Sequence, residues 1–275
     1  MRKGKVTTMV HTKELFDLTG KIAIVTGGRG RYGAGISLGL CEMGATVIVA
    51  SRNGAACEEY AASLREKGYS AYGLSLDLGS DDSIKTLVDE VVARFGKIDI
   101  LVNNAVDRSN LVPLATATRE KLQASMETNL TGQMILTQAV IPYMIEKRKG
   151  SIINISSMRG IDCPHFPFYP ESMREHSMNY VTEKWAFEGF TRYMAGRYGE
   201  YNIRVNSIAP GGFNPGLSST SEDAKKFVET YIENCPLHCW ASEDDIKGPV
   251  CFLASDASGY VTGATLVMDG GWTIW

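Results

Sequence analysis

The sequence predicts a doubly wound α/β fold, a seven-stranded parallel sheet with helices on both faces. Seven short runs rich in β-branched residues recur along the chain: Ile22 to Thr26, Thr46 to Ala50, Ala71 to Leu76, Ile98 to Asn103, Ser151 to Ser156, Ile203 to Ile208 and Ala264 to Met268. The intervals between them are helix-sized, as parallel strands require, because a tight hairpin cannot connect them. A third observation is the glycine-rich turn Gly27-Gly28-Arg29-Gly30-Arg31-Tyr32-Gly33 directly after the first run, followed by an apolar helical pattern that ends near Met43.

A chain of 275 residues, 44% hydrophobic and 21% charged, can bury one large core. Residues 1–17, with Gly4, two threonines and a second methionine at Met9, read as a flexible arm, and residues 18–275 as one domain. The net charge is −3, from 28 basic and 31 acidic residues, so no global positive field exists to hold nucleic acid or an anionic membrane. No run is long and apolar enough for a membrane helix, and the basic start is not followed by a signal-peptide core. The expected place is the cytoplasm and the expected partner a small molecule. Six cysteines scattered through a chain of this size read as reduced thiols. Cys235, His238 and Cys239 lie close in sequence, but no second ligand pair stands at zinc spacing, so no metal is expected.

Glycines at the first turn let the backbone bend sharply and approach a pyrophosphate. The following helix offers that anion free N–H groups and a positive dipole end. In the first strand–turn–helix unit of an alternating chain, this is a dinucleotide-binding signature of the Rossmann type. At the end of the second strand, where a carboxylate would accept the ribose 2′-hydroxyl of NAD, the chain has Ser51-Arg52-Asn53. Ser51 and Arg52 suit a 2′-phosphate, with Arg29 or Arg31 as a second contact, so NADP is expected and NAD is the alternative. The ordinary reading of Arg52 is a solvated loop charge.

Tyr180 and Lys184 stand four apart in Tyr180-Val181-Thr182-Glu183-Lys184, which places both on one helix face. A neighbouring ammonium favours the phenolate, making Tyr180 usable as a general acid/base. Tyr143 and Lys147 have the same spacing. Tyr180, unlike Tyr143, follows the strand whose end carries Ser157.

With its glycine turn, Asp77-Leu78, Asn103-Asn104-Ala105, Asn129, Ser157, Tyr180-x-x-x-Lys184, Arg204-Val205-Asn206, Pro210-Gly211 and Asp269-Gly270-Gly271 in this order, the chain resembles the short-chain dehydrogenase/reductase family from about Leu18 onward. The family's Thr-Gly-x-x-x-Gly-x-Gly puts Gly27, Arg31 and Gly33 at the glycine positions, so an arginine replaces the middle one unless Gly30 or Gly35 takes over. Val106 likewise replaces the last glycine of Asn-Asn-Ala-Gly. The resemblance implies that Ser157 donates a hydrogen bond to the substrate oxygen. It implies also that Lys184 holds the nicotinamide ribose, that Asn129 positions a water behind the lysine, and that Asp77 meets the adenine. With these it places Leu78, Asn104, Ala105, Pro210 and Gly211, together with Gly27, Tyr32 and Gly33, around the cofactor.

The expected activity is hydride transfer between nicotinamide and a small carbonyl or secondary alcohol. The C-terminal Gly271-Trp272-Thr273-Ile274-Trp275 is similar to members acting on sugar acids and polyols, and ketoacyl reductases share much of the frame. A non-catalytic dinucleotide sensor is the rival from another class. The family's pairing of long helices implies a homotetramer or homodimer through Thr118 to Lys147 and Asn179 to Tyr198. The proline-rich stretch at about 158–178 separates Ser157 from Tyr180 and reads as a long loop or short helical excursion, an active-site insertion whose Phe166, Phe168 and Tyr169 cover the substrate, with a packing element at a subunit interface as the alternative.

Overall fold

The computed structural model describes residues 9–174, 177–214 and 216–274. Residues 1–8 of the arm, 175 and 176 of the proline-rich stretch, Pro215 and Trp275 lie outside the described residues. The seven runs form strands β1 (Ile22–Thr26), β2 (Thr46–Ser51), β3 (Ala71–Ser75), β4 (Ile100–Asn103), β5 (Gly150–Ile155), β6 (Ile203–Pro210) and β7 (Thr265–Met268). All pair in parallel, in the order β3-β2-β1-β4-β5-β6-β7. The strand order reverses between β1 and β4, and a crevice for a ligand opens above the strand ends at that switch point.

The helices are α1 (Thr12–Leu15), α2 (Arg31–Glu42), α3 (Gly54–Glu66), α4 (Asp81–Phe95), α5 (Arg119–Met126), α6 (Gly132–Lys147), α7 (Met178–Tyr198), α8 (Glu222–Asn234) and α9 (Lys247–Ala254). Alternation along each strand sends side chains to opposite faces. Ala23 and Val25 of β1 join a core with Ile36 and Leu40 of α2, Leu64 of α3 and Val250 of α9. Ile22 and Ile24 join the opposite core, with Leu87 of α4, Val140 of α6 and Met194 of α7. This division makes the sheet doubly wound and explains why its central strands β1, β4 and β5 are buried along their whole length.

Two features bear on function, the first of them a departure from the sequence reading. The helical stretch expected from Thr118 to Lys147 is interrupted by a π-helical turn at Glu127–Thr131, which carries Asn129. Gly132, just beyond it, packs so closely that a Cβ there would lie 2.0 Å from the Leu78 carbonyl oxygen. The second concerns the proline-rich stretch, which folds as three short 3₁₀ turns, Met158–Gly160, Phe166–Phe168 and Glu171–Met173. Tyr169 is buried in a third core with Phe227 and Tyr231 of α8 and with Trp272. Its ring centroid lies 4.8 Å from that of Phe227, while Phe168 meets Trp272 edge-on at 5.7 Å.

Candidate active site

The glycine turn shows what each glycine is for. Gly27 has φ of +62°, which side-chain-bearing residues rarely adopt. A Cβ on Gly33 would lie 2.0 Å from the Gly27 carbonyl oxygen, and one on Gly35 2.2 Å from that of Glu243. Arg31 needs no such dispensation. It is the first residue of α2, Gly30 occupies the cap position with extended backbone, and Arg31 is not among the described residues with positive φ. The arginine therefore fits the turn without a shift of register. No side chain caps α2, which leaves its first N–H groups for a ligand.

The loop after β4 is tied to this turn. Thr26 Oγ1 accepts from the N–H groups of Asn104 (2.9 Å) and Ala105 (3.0 Å), and Asn104 Nδ2 donates to the Thr26 carbonyl at 2.9 Å. Below, Asn103 Nδ2 donates to Asn154 Oδ1 at 2.9 Å and Asn154 Nδ2 to Thr191 Oγ1 at 2.9 Å, so buried amides lock β4, β5 and α7 together.

A cavity of about 320 Å³ runs from the turn to α7. Of the residues singled out from sequence, it gathers Gly27, Arg31, Tyr32, Gly33, Asn104, Ala105, Ser157, Tyr180, Lys184, Pro210 and Gly211. Tyr143 instead lies on the α4/α6 face, away from this cavity. A second cavity, of about 140 Å³, shares Gly27, Ala105 and Val106 with the first and adds Ser51, Arg52, Leu78 and Asp107. Arg29 and Asp77 line neither; Asp77 Oδ1 instead accepts from the Gly79 N–H at 3.0 Å, closing its own turn. Asn129 stands behind the wall.

At the catalytic end, Lys184 Nζ donates to the Ile155 carbonyl at 2.7 Å and lies 5.7 Å from the centre of the Tyr180 ring. Burial pushes the Lys184 ammonium down to about 8; the charge of Glu183 opposes this and that of Arg108 adds to it. Ser157 Oγ accepts from the Arg159 N–H at 3.1 Å, which fixes the hydroxyl at the end of β5.

Three groups had no signal in the sequence. Glu183, inside the tyrosine–lysine motif, is buried and accepts from Ser125 Oγ at 2.6 Å and Asn129 Nδ2 at 3.1 Å. Desolvation raises its pKa above the usual carboxylate value. Asn129 Oδ1 also accepts from the Asp107 N–H at 2.6 Å, so one amide ties α5, α7 and the β4 loop. Asp107 pairs with Arg52 at 3.1 Å, and Arg108 lines the larger cavity.

A cleft with a glycine turn under an uncapped helix at its middle and a tyrosine–lysine pair at one end is that of a nicotinamide-dependent oxidoreductase. A family profile described as "Enoyl-(Acyl carrier protein) reductase" matches residues 32–273. The 3-oxoacyl-[acyl-carrier-protein] reductase of Thermotoga maritima is 34% identical over 262 residues, covering 94% of this chain and 99% of that protein. The crystal structure of a gluconate 5-dehydrogenase from Burkholderia cenocepacia, in complex with NADP and tartrate, superposes with a TM-score of 0.86 at 33% identity, covering 96% of this chain and 100% of that one. An NAD⁺-bound xylitol dehydrogenase gives 0.83 at 32% identity, covering 92% and 99%. The chain belongs to the short-chain dehydrogenase/reductase family, and it is an NAD(P)-dependent oxidoreductase acting on CH–OH groups of small carbonyl or alcohol substrates. Among the described residues, no helix is long and apolar enough to cross a membrane.

Proposed function

We propose that Tyr180 is the general acid/base of this enzyme, with Ser157, Lys184 and Asn129 in support. The observation that carries the reading is the meeting of Ser157, Tyr180 and Lys184 in one cavity with the glycine turn. The residues present fit a dinucleotide: the uncapped N-terminus of α2 suits the pyrophosphate, and Gly33 lets the turn close against the helix. When bound, the nicotinamide supplies or accepts the hydride at the carbonyl carbon. In reduction the Tyr180 hydroxyl gives its proton to the substrate oxygen, and in oxidation it takes one back. Ser157 donates a hydrogen bond to that oxygen and Lys184 holds the ribose while favouring the phenolate. Asn129 orders a proton path behind the lysine.

Ser51 and Arg52 support NADP(H) over NAD(H), as does the absence of a carboxylate at the end of β2. The substrate is a sugar acid or polyol, in keeping with the gluconate 5-dehydrogenase and xylitol dehydrogenase among the relatives; a 3-ketoacyl thioester is the second reading, favoured by the Thermotoga relative. The enzyme works as a homotetramer or homodimer in the cytoplasm. Trp185 and Tyr193, exposed on α7, offer apolar surface for that assembly. The test is NADPH oxidation across a panel of keto acids, ketoses and ketoacyl thioesters, with NADPH binding measured in parallel. A Tyr180→Phe variant that binds NADPH and keeps wild-type turnover would remove the proposal.

A further inference from the structure

The larger cavity is unusual in its charge. Its lining includes three cationic side chains, Arg31, Arg108 and Lys184, and no aspartate or glutamate, in a chain whose net charge is −3. Lys184 is committed, through its hydrogen bond to the Ile155 carbonyl and its place beside Tyr180. The two arginines are not. Among the described residues, neither guanidinium donates a hydrogen bond or has a carboxylate within ion-pair distance, whereas Arg52, at the other cavity, has Asp107 at 3.1 Å. Both arginines are exposed to solvent beside the cavity; partial desolvation, followed by the like charge of Arg108, lowers the pKa of Arg31. Two guanidinium groups near one another beside an acid-free cavity repel each other unless an anion comes between them.

The pyrophosphate of the cofactor has its own receptor in the N–H groups of α2 and the glycine turn. Arg108 is carried by a different element, the loop after β4, and shares its cavity with Tyr180, Ser157 and Phe213. We infer that the substrate carries a carboxylate remote from its reacting carbon, and that Arg108 together with Arg31 binds it. This deepens the reading of the site proposed above and rests on it. A guanidinium meets a carboxylate through two parallel N–H···O bonds, so the pair fixes orientation as well as charge. The carboxylate takes no part in the redox step; it turns the carbonyl carbon toward the nicotinamide and the oxygen toward Tyr180. Between a sugar acid and a neutral polyol, the charge of the cavity selects the acid.

The experiment compares matched pairs, keto acids of five and six carbons whose ketone lies at C4 or C5, away from the carboxyl group, against their amides, by NADPH oxidation at low and high salt. The acids should be preferred by at least about tenfold in kcat/KM, equivalent to ~1.4 kcal/mol. That preference should shrink as salt rises and fall toward unity in Arg108→Gln, the acid-to-amide ratio within each variant being the readout because Arg108 also acts on Lys184. Equal rates for acids and amides, or an unchanged ratio in Arg108→Gln, would overturn the inference. A preference confined to phosphate esters would overturn the carboxylate in favour of another anion. Arg31→Gln separates the two arginines: weaker NADPH binding with an unchanged acid preference assigns Arg31 to the cofactor and removes it from the pair. Should no compound turn over, calorimetric titration of gluconate and sorbitol, and of 4-hydroxypentanoate and its amide, onto the enzyme loaded with NADP decides the matter. Tighter binding of the acids sustains charge recognition while the catalytic reading fails, and absent or equal binding sinks the inference itself.

Discussion

At the adenosine end of the cleft Arg52 is ion-paired to Asp107, while at the catalytic end Arg31 and Arg108 face a cavity without a carboxylate. The chemistry of the side chains is the same, but their consequences differ. A guanidinium already answered by a carboxylate offers a 2′-phosphate less than its full charge, because the phosphate must share it with Asp107. An unanswered guanidinium attracts any anion that enters. The adenosine end is thus tempered, and the catalytic end is poised. The polar groups behind the catalytic end are the reverse: Ser125, Asn129 and Glu183 form a buried, mutually bonded set. Position is thus held tightly behind Lys184 and loosely around Arg52, where the proposed function places proton transfer and the choice of the cofactor's distal phosphate.

The contrast is most directly broken at Tyr180. Tyr180→Phe should lose at least about 10²–10⁴-fold in turnover while NADPH affinity, followed by fluorescence, stays the same. Tyr143→Phe should retain wild-type activity, since that residue lies on another face. An inactive Tyr143→Phe beside an active Tyr180→Phe would reverse the assignment.

The next effect is on stability and comes from Lys184. Its pKa in the folded protein is about 8, below the ordinary 10.5 of the unfolded chain. Between those values the unfolded state binds more protons, so the group adds stability as pH rises from 8 toward 10.5, and its burial is most costly below 8. Wild type should therefore gain stability relative to Lys184→Met over that interval in paired denaturant titrations. A difference that stays flat with pH would show that the ammonium is not depressed. Activity should decline above pH 8, where the lysine loses the charge that favours the phenolate.

Glu183→Gln gives a subtler reading. The Glu183 charge holds the Lys184 pKa up, so its removal should move the alkaline limb of the rate profile to lower pH, with a several-fold loss in kcat and little change in KM. A loss of melting temperature with an unmoved profile would mean that Glu183 only packs.

The smallest effect is expected at the tempered end. Asp107→Asn frees Arg52, and because that pair is largely exposed on the arginine side, the gain is limited to ~0.2–1 kcal/mol, up to about fivefold in the NADPH over NADH affinity ratio. A ratio that falls instead would show that Asp107 aims Arg52 at the phosphate rather than competing with it.

What the amino-acid sequence determined by itself is local. The seven strand runs, the glycine turn and the Tyr180–Lys184 pair all follow from periodicities of two and about four and from the glycines that a sharp turn demands, and each can be read within a dozen residues. Their order along the chain was enough to choose a parallel, doubly wound sheet; the reversal between β1 and β4 that opens the cleft is seen only in the structure. The tertiary structure alone decided the rest. Glu183 meets Ser125 across 58 residues and Asn129 across 54, and no spacing rule relates them. Asp107 and Arg52 belong to different loops brought together by β1, β2 and β4. Likewise the sequence leaves Phe166, Phe168 and Tyr169 free either to cover the substrate or to pack; Phe168 and Tyr169 pack against α8 and Trp272, and no described residue of 158–174 lines the larger cavity around Tyr180. A run of aromatics and prolines states only that a loop has surface to bury. Which surface receives it is settled by what the sheet and helices have left uncovered, and here that was the space between α8 and the chain's end.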